Sequence, residues 1–222
     1  MMITRYILKS DDSLPWNNLV EKLKLWRTVD EETSKENFIK ITETQDKYVI
    51  AILRYYIRMK EVEVTLDDNG EEKRKENDVI KQNWARLYFL RPQSPQFVLI
   101  RFQPETSRYG HVKNKVRVLI SRCIAGTDDY FQYARFNIEA IHNDYSVDTW
   151  VGAIKDRSNN VRSGVLFGTN IAGDSDFGAG YVRSPKNYIG VYTNYFGGRE
   201  PIRYNKHSFQ LYKDHEDDEI IA

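Results

Sequence analysis

Apolar and polar positions change period several times along the chain, and each change marks an element. Residues 3–9 read as a first strand, closed by Ser10, Asp11, Asp12 and Ser13. Trp16, Leu19, Leu23 and Trp26 then recur at three- and four-residue spacing. That spacing predicts a helix, with Ser13 as its N-cap and Pro15 tolerated in its first turn. A polar, acidic linker follows over 30–37. Residues 45–60 are harder to place, because apolar side chains fill nearly every position from 48 to 57 and periodicity does not separate helix from strand. Length, and Thr42 or Thr44 as a cap, favour a second helix.

From Glu61 the period becomes two. Val62, Val64 and Leu66 alternate with Glu61, Glu63 and Thr65, and Asp67-Asp68-Asn69-Gly70 supplies a turn, which together predict a hairpin. Residues 71–78 are too charged to be buried, and form either the exposed return strand or a loop. Further strands are expected over 84–90 and 97–102, paired antiparallel across a connection holding Pro92 and Pro95. Residues 115–122 place Val116, Val118 and Ile120 on one face, which predicts a strand. Phe136, Ile138 and Ala140 repeat that alternation. Val147, Trp150, Val151 and Ile154 return to helical spacing behind Asp144 and Ser146, giving a third helix. Late strands are expected over 164–171, 188–196 and 202–212, separated by Gly, Pro, Asn and Ser clusters.

The resulting expectation is an α+β fold with a largely antiparallel sheet of eight or nine strands and about three helices, two of them near the N-terminus. One domain over 1–213 is expected, with a helical part (1–60) and a strand-rich part (61–213). Residues 214–222, with five carboxylates from Asp214 to Glu219, read as an acidic tail. No internal repeat points to a solenoid or propeller.

Composition narrows the function classes. Apolar residues are 41% of the 222 and charged residues 29%, ordinary globular usage that supports a buried core. No run approaches the roughly 20 apolar residues of a membrane helix, and the first ten residues carry no signal-peptide pattern. An intracellular protein, cytoplasmic or nuclear, with no membrane association is therefore expected. A single cysteine, Cys123, excludes an internal disulfide and any multi-thiolate zinc site. Fifteen tyrosines suit half-buried strand positions, with a base-stacking surface as the alternative.

Charge changes the picture further. The net charge is only +1, but residues 81–135 hold ten basic and three acidic side chains, a net of +7. Residues 1–80 (fourteen basic, seventeen acidic) and 136–222 (nine and twelve) are each net −3. Arg101, Arg108, Lys113, Lys115, Arg117 and Arg122 crowd into 22 residues, with Tyr109 among them. On a strand, Lys115 and Arg117 would project from one face, where they could neutralise phosphates while Tyr109 stacks on a base.

Catalytic signals are weak by comparison. The glycine-rich stretch 168–180 lacks the Lys and Ser/Thr of a phosphate loop and is not followed by a helix, so it reads as a loop between strands. Asp174 and Asp176 in it could hold a divalent cation through oxygen. His142 with Asp144 suits turn and cap chemistry better than acid and base work, and Cys123 beside Ile124 reads as core. No cofactor and no metal site is expected. Three readings follow. The first is a non-catalytic DNA- or RNA-binding module using Arg101, Arg108, Tyr109, Lys113, Lys115, Arg117 and Arg122. The second is a protein-interaction adaptor or oligomerising subunit, with a protein partner or a homodimer formed through a Tyr-rich interface. The third is a metal-dependent hydrolase.

Overall fold

The computed structural model describes residues 3–12, 15–91, 96–103, 110–138, 140, 147–153, 163–167, 171, 186–193 and 200–211. The chain divides into two compact units, one formed by Ser10–Gln132 and the other by Met1–Lys9 with Tyr133–Ala222.

The Ser10–Gln132 unit holds two helices among the described residues, α1 (Trp16–Leu25) and α2 (Gly110–Ala125). Its strands are β2 (Arg27–Val29), β3 (Glu36–Thr44), β4 (Tyr48–Leu66), β5 (Glu72–Leu90) and β6 (Gln96–Phe102). They pair in that order, every neighbour antiparallel. Ala51, Leu53, Tyr55 and Ile57 of β4, with Ala85, Leu87 and Phe89 of β5, are buried on the odd-numbered face. Leu19 and Leu23 of α1 and Val112, Val116, Leu119, Ile120, Cys123 and Ile124 of α2 are also buried. Helix α1 contacts both β3 and α2.

The other unit begins with β1 (Ile3–Ser10) and contains β8 (Val147–Ala153), β9 (Ser163–Phe167), β10 (Lys186–Thr193), β11 (Glu200–Asn205) and β12 (Ser208–Leu211). A two-residue strand, β7 (Gln132–Tyr133), stands at the junction between the units in sequence. Pairing runs β1-β12-β11-β10-β8-β9, again antiparallel. Asn205 Oδ1 accepts from the backbone N–H groups of His207 and Ser208 at 2.8 Å, which closes the β11–β12 turn. Phe136, Tyr204 and Phe209 pack edge to face with centroids 5.5 and 6.3 Å apart from Phe136.

Several expectations need correction. Two helices have a defined extent, rather than about three, and only α1 lies near the N-terminus. The expected second helix over 45–60 is the first part of β4. Val49, Ile50 and Ala51 are buried in succession, because a central strand loses solvent on both faces and reads as a continuous apolar run. The expected third helix over 147–154 is β8, held by β9 on one side and β10 on the other. Conversely, the expected strand over 115–122 is the middle of α2. Val112, Val116, Leu119, Cys123 and Ile124 follow a 3.6-residue period once the window is widened, and three alternating apolar residues concealed it. Phe136 is in no strand. The strand expected over 202–212 is two strands broken at Lys206 and His207.

Other expectations hold. The strand over 3–9, the α1 helix, the 61–70 hairpin and the antiparallel pairing of 84–90 with 97–102 are all present. Residues 71–78 are the exposed return strand, continuous with 84–90 as β5. Pro15 precedes α1 rather than lying within it. Ser13, the stretch 168–180 apart from the buried Ile171, and the acidic tail 214–222 lie outside the described residues.

Candidate functional site

Helix α2 distributes the basic residues over more than one face. Successive helical positions turn by about 100°, so Lys115 and Arg117 point roughly 200° apart instead of together. Lys115, Val118, Leu119 and Arg122 share one face and line a cavity of about 250 Å³ with Thr28, Asp30, Glu32 and Asn37. Arg117 turns to the 128–131 segment, where its guanidinium donates to the carbonyls of Asp128 (2.8 Å) and Phe131 (2.9 Å) and to Asn114 Oδ1. Arg122 binds both carboxylate oxygens of Asp128. That pair raises the Arg122 pKa and lowers the carboxyl of Asp128. Lys113 is half-buried on α2, and Arg101 on β6 stands opposite Arg86 of β5. Arg108 and Tyr109 lie outside the described residues, as do His142, Asp144, Asp174 and Asp176.

The most connected side chain here is one the sequence reading left inside a linker. Asp30 is only 8% exposed. Its Oδ1 accepts from the Thr33 N–H (3.0 Å) and hydroxyl (2.9 Å), and its Oδ2 meets Asn37 Nδ2 at 3.4 Å and Lys115 Nζ at 2.6 Å. Burial pushes the Asp30 carboxyl up, but Lys115 and Thr33 together more than offset it and hold it below its ordinary range. The backbone closes the same turn, with Ser34 at φ 55° donating to the Asp30 carbonyl. Asp-x-x-Thr was the available signal, since Asp readily bonds backbone and hydroxyl groups a turn ahead. Cys123 lies on a buried face of α2, and burial raises its thiol to about 12, so it is not a nucleophile at neutral pH.

The lock around Asp30 also braces the base of a long projection. Strand β3 pairs β4 only as far as Arg54, and β6 pairs β5 only as far as Ala85. Beyond those points, from Tyr55↔Asn83 to Leu66↔Glu72, β4 and β5 pair only with each other among the described residues. Twelve residues at about 3.4 Å each make an arm roughly 40 Å long, with Tyr55 and Ile57 at its base still buried in the core. Asn37 Oδ1 accepts from the Tyr56 N–H at 3.2 Å, where β3 no longer supplies a backbone partner. Arg58 reaches the Glu32 carbonyl at 3.0 Å. The register never slips, and the tip is closed by Asp67, whose Oδ1 accepts from Asn69 and Glu71 while Gly70 takes φ 81°.

The two faces of the arm differ in kind. Cross-strand partners share a face, so the odd-numbered residues of β4 lie beside the odd-numbered residues of β5. That face is mostly polar, with Glu61 paired to Lys81, Glu63 to Asn77 and Asp67 to Lys73. The even face carries Val62 (54% exposed), Val64 (52%), Leu66 (70%) and Ile80 (43%). Around them stand Lys60 with Glu76 (2.9 Å) and Arg74 with Glu72 (3.3 Å). Apolar side chains thus change parity along β4, from odd in the core to even beyond Lys60. That switch was readable in the sequence, and it marks a second surface that the core does not cover.

Chemically, the arm offers apolar contact and alternating charge. Residues 58–81 hold six basic and eight acidic side chains, a net of −2. Among the described residues, no helix is long and apolar enough to cross a membrane. The chain matches no family model, and no curated protein matches its sequence.

Proposed function

We propose that this chain is a non-catalytic protein-interaction module, with the even-numbered face of the β4–β5 arm as its docking surface. The observation that carries the proposal is the row Val62, Val64 and Leu66, three large apolar side chains exposed at consecutive positions on one face of β4, with Ile80 exposed on the same face two same-face ladder steps nearer the base. A two-stranded ribbon is marginal in water by itself, and contiguous exposed apolar surface on a soluble protein marks a contact site. Intervening charges keep such a face soluble until a partner arrives.

A nucleic-acid-binding module is the second reading, supported by the net +7 of residues 81–135. At least three of its seven residues already have intramolecular work. Lys115 and Arg117 are 19% and 16% exposed at their side chains, in ion pairs with Asp30 and Asp129, and Arg122 is held by Asp128. Contact with phosphate would require those partners to be given up.

A photo-crosslinking residue at position 64, compared with one at position 63 on the opposite face, tests the first reading in extract of the native cell. Adducts from 64 and few from 63 are expected; equal yields from both faces, or none, would remove it. For the second reading the charge reversals are Arg101→Glu, Arg108→Glu and Lys113→Glu, each checked for fold by circular dichroism, because reversing Lys115 or Arg117 would also disturb the ion pairs they make with Asp30 and Asp129. Anisotropy of labelled DNA and RNA across salt should show binding that these variants abolish if that reading is right.

A further inference from the structure

We infer that the partner of this face is a second copy of the chain, with two arms packed face to face about a two-fold axis that lies between Val62 and Val64. The inference rests on the interaction reading above and specifies its occupant.

The charge pattern of the face selects the arrangement. From base to tip, β4 presents Arg58, Lys60, Val62, Val64 and Leu66, and β5 presents Ile80, Asp78, Glu76, Arg74 and Glu72. Two copies meeting at an isologous contact can place the axis along the strands or across them. An axis along the strands sets β4 over the partner's β5, so that Val62 covers Glu76, Val64 covers Arg74 and Leu66 covers Glu72. Apolar groups would then bury charge without compensation. An axis across the strands, at the level of residues 63 and 75, sets β4 over β4 and reverses the order of the layers. Val62 then meets Val64 of the other copy, twice by symmetry, and Glu76 meets Arg74, also twice. Lys60 lies over the other copy's Leu66 with its methylenes on the apolar side chain, and its ammonium is shared between Asp78 of its own copy and the facing Glu72, two carboxylates that come together at that level. At its two central levels the orientation across the strands sets apolar on apolar and opposite charges together, whereas the orientation along the strands does so at neither, its opposite-charge contact of Lys60 over Asp78 lying outside them. Twisted sheets stacked this way cross at about 30°, which a smooth two-stranded ribbon without bulges permits.

The size of the face sets the strength. Eight side chains per copy, from the Lys60 level to the Leu66 level on a ribbon two strands wide, fall at or below the roughly 1,200–2,000 Å² that stable interfaces bury. The expected dimer is accordingly a reversible one, with a dissociation constant on the order of micromolar.

Sedimentation velocity of the purified full chain, from about one-tenth to one hundred times that concentration, tests the inference. A monomer giving way to a dimer is expected. Val64→Lys should weaken the dimer at least tenfold, and Thr65→Lys, on the opposite face, should leave it within twofold. Arg74→Glu should weaken it, and Arg74→Glu combined with Glu76→Arg should restore it, since both cross-copy pairs are rebuilt with reversed sign. Circular dichroism of each variant confirms that loss of the dimer is not loss of the fold. A purified chain that stays monomeric throughout overturns the homodimer, whereas adducts from position 64 in extract would still support a different protein partner. A dimer indifferent to Val64→Lys overturns both the axis and the face.

Discussion

At the scale of single residues, the pair formed by Asp30 and Lys115 is the clearest case of chemistry spent on holding the chain in place. Asp30 is buried, and each of its oxygens has a donor. Lys115→Met would remove the cation and leave a buried carboxylate with neutral donors only, at a cost of about 3 kcal/mol. Asp30→Asn keeps the shape and some hydrogen bonds but leaves Lys115 with only the more distant carboxylate of Glu32, at 3.8 Å. The pH dependence follows from the direction of the Asp30 shift. Its folded-state pKa lies below the unfolded value near 4, so its contribution is fully present above that value and is lost as pH falls through the folded pKa. Urea unfolding at pH 7, 4 and 2.5 checks this. The gap in stability between the native chain and Asp30→Asn should be largest at pH 7 and should close towards the acid end. A gap that is constant with pH would mean that the carboxylate's charge contributes nothing.

At the scale of elements, the sequence suggests a strand within α2 and a helix within β4, and one physical reason covers both. A short window does not reveal what lies on the far side of an element. The first part of β4 is nearly continuously apolar because it is a central strand with Val49, Ile50 and Ala51 buried in succession, whereas the alternation in 115–122 belongs to a helix whose period appears only when Val112 and Ile124 are included. The end of α2 was legible in principle from Gly126, which takes φ 74° and donates its N–H to the Arg122 carbonyl at 2.9 Å. A Cβ there would meet no atom within 4 Å, so any cost of Gly126→Ala is conformational. That cost should be about 1 kcal/mol, read as a lower denaturant midpoint at unchanged slope. Elements set by local chemistry were recovered: the hairpin turn at Asp67–Gly70, α1 with its apolar spacing, and the pairing of 84–90 with 97–102. The candidate site was legible only in part. Basic residues were countable, but their ion partners Asp30, Asp128 and Asp129 are set by the fold, and in sequence they had counted only towards net charge. The apolar row on the even face of the arm was visible as Val62, Val64 and Leu66, and its meaning depended on knowing that the core uses the odd face.

At the scale of the molecule, the arm is separable from the unit that carries it. The core of the Ser10–Gln132 unit is supplied by Leu53, Tyr55, Ala85, Leu87 and the buried faces of α1 and α2, while every residue from Lys60 to Leu66 is exposed. Folding of the unit should therefore not need the distal arm. Met59 and Val79 face each other in the ladder, so residues 60–78 can be replaced by Asn-Gly, the two-residue turn whose twist suits a hairpin. The shortened chain should keep its far-ultraviolet spectrum apart from the lost strand signal, and its thermal midpoint should move by only a few degrees, because little apolar area buried in the monomer is removed. If two arms pack together as inferred, the same deletion abolishes self-association completely, a separation of folding from assembly that a core element would not allow. Collapse of the fold on deletion would instead make the arm part of the folding unit, and its exposed valines would then need a cover supplied by the chain itself.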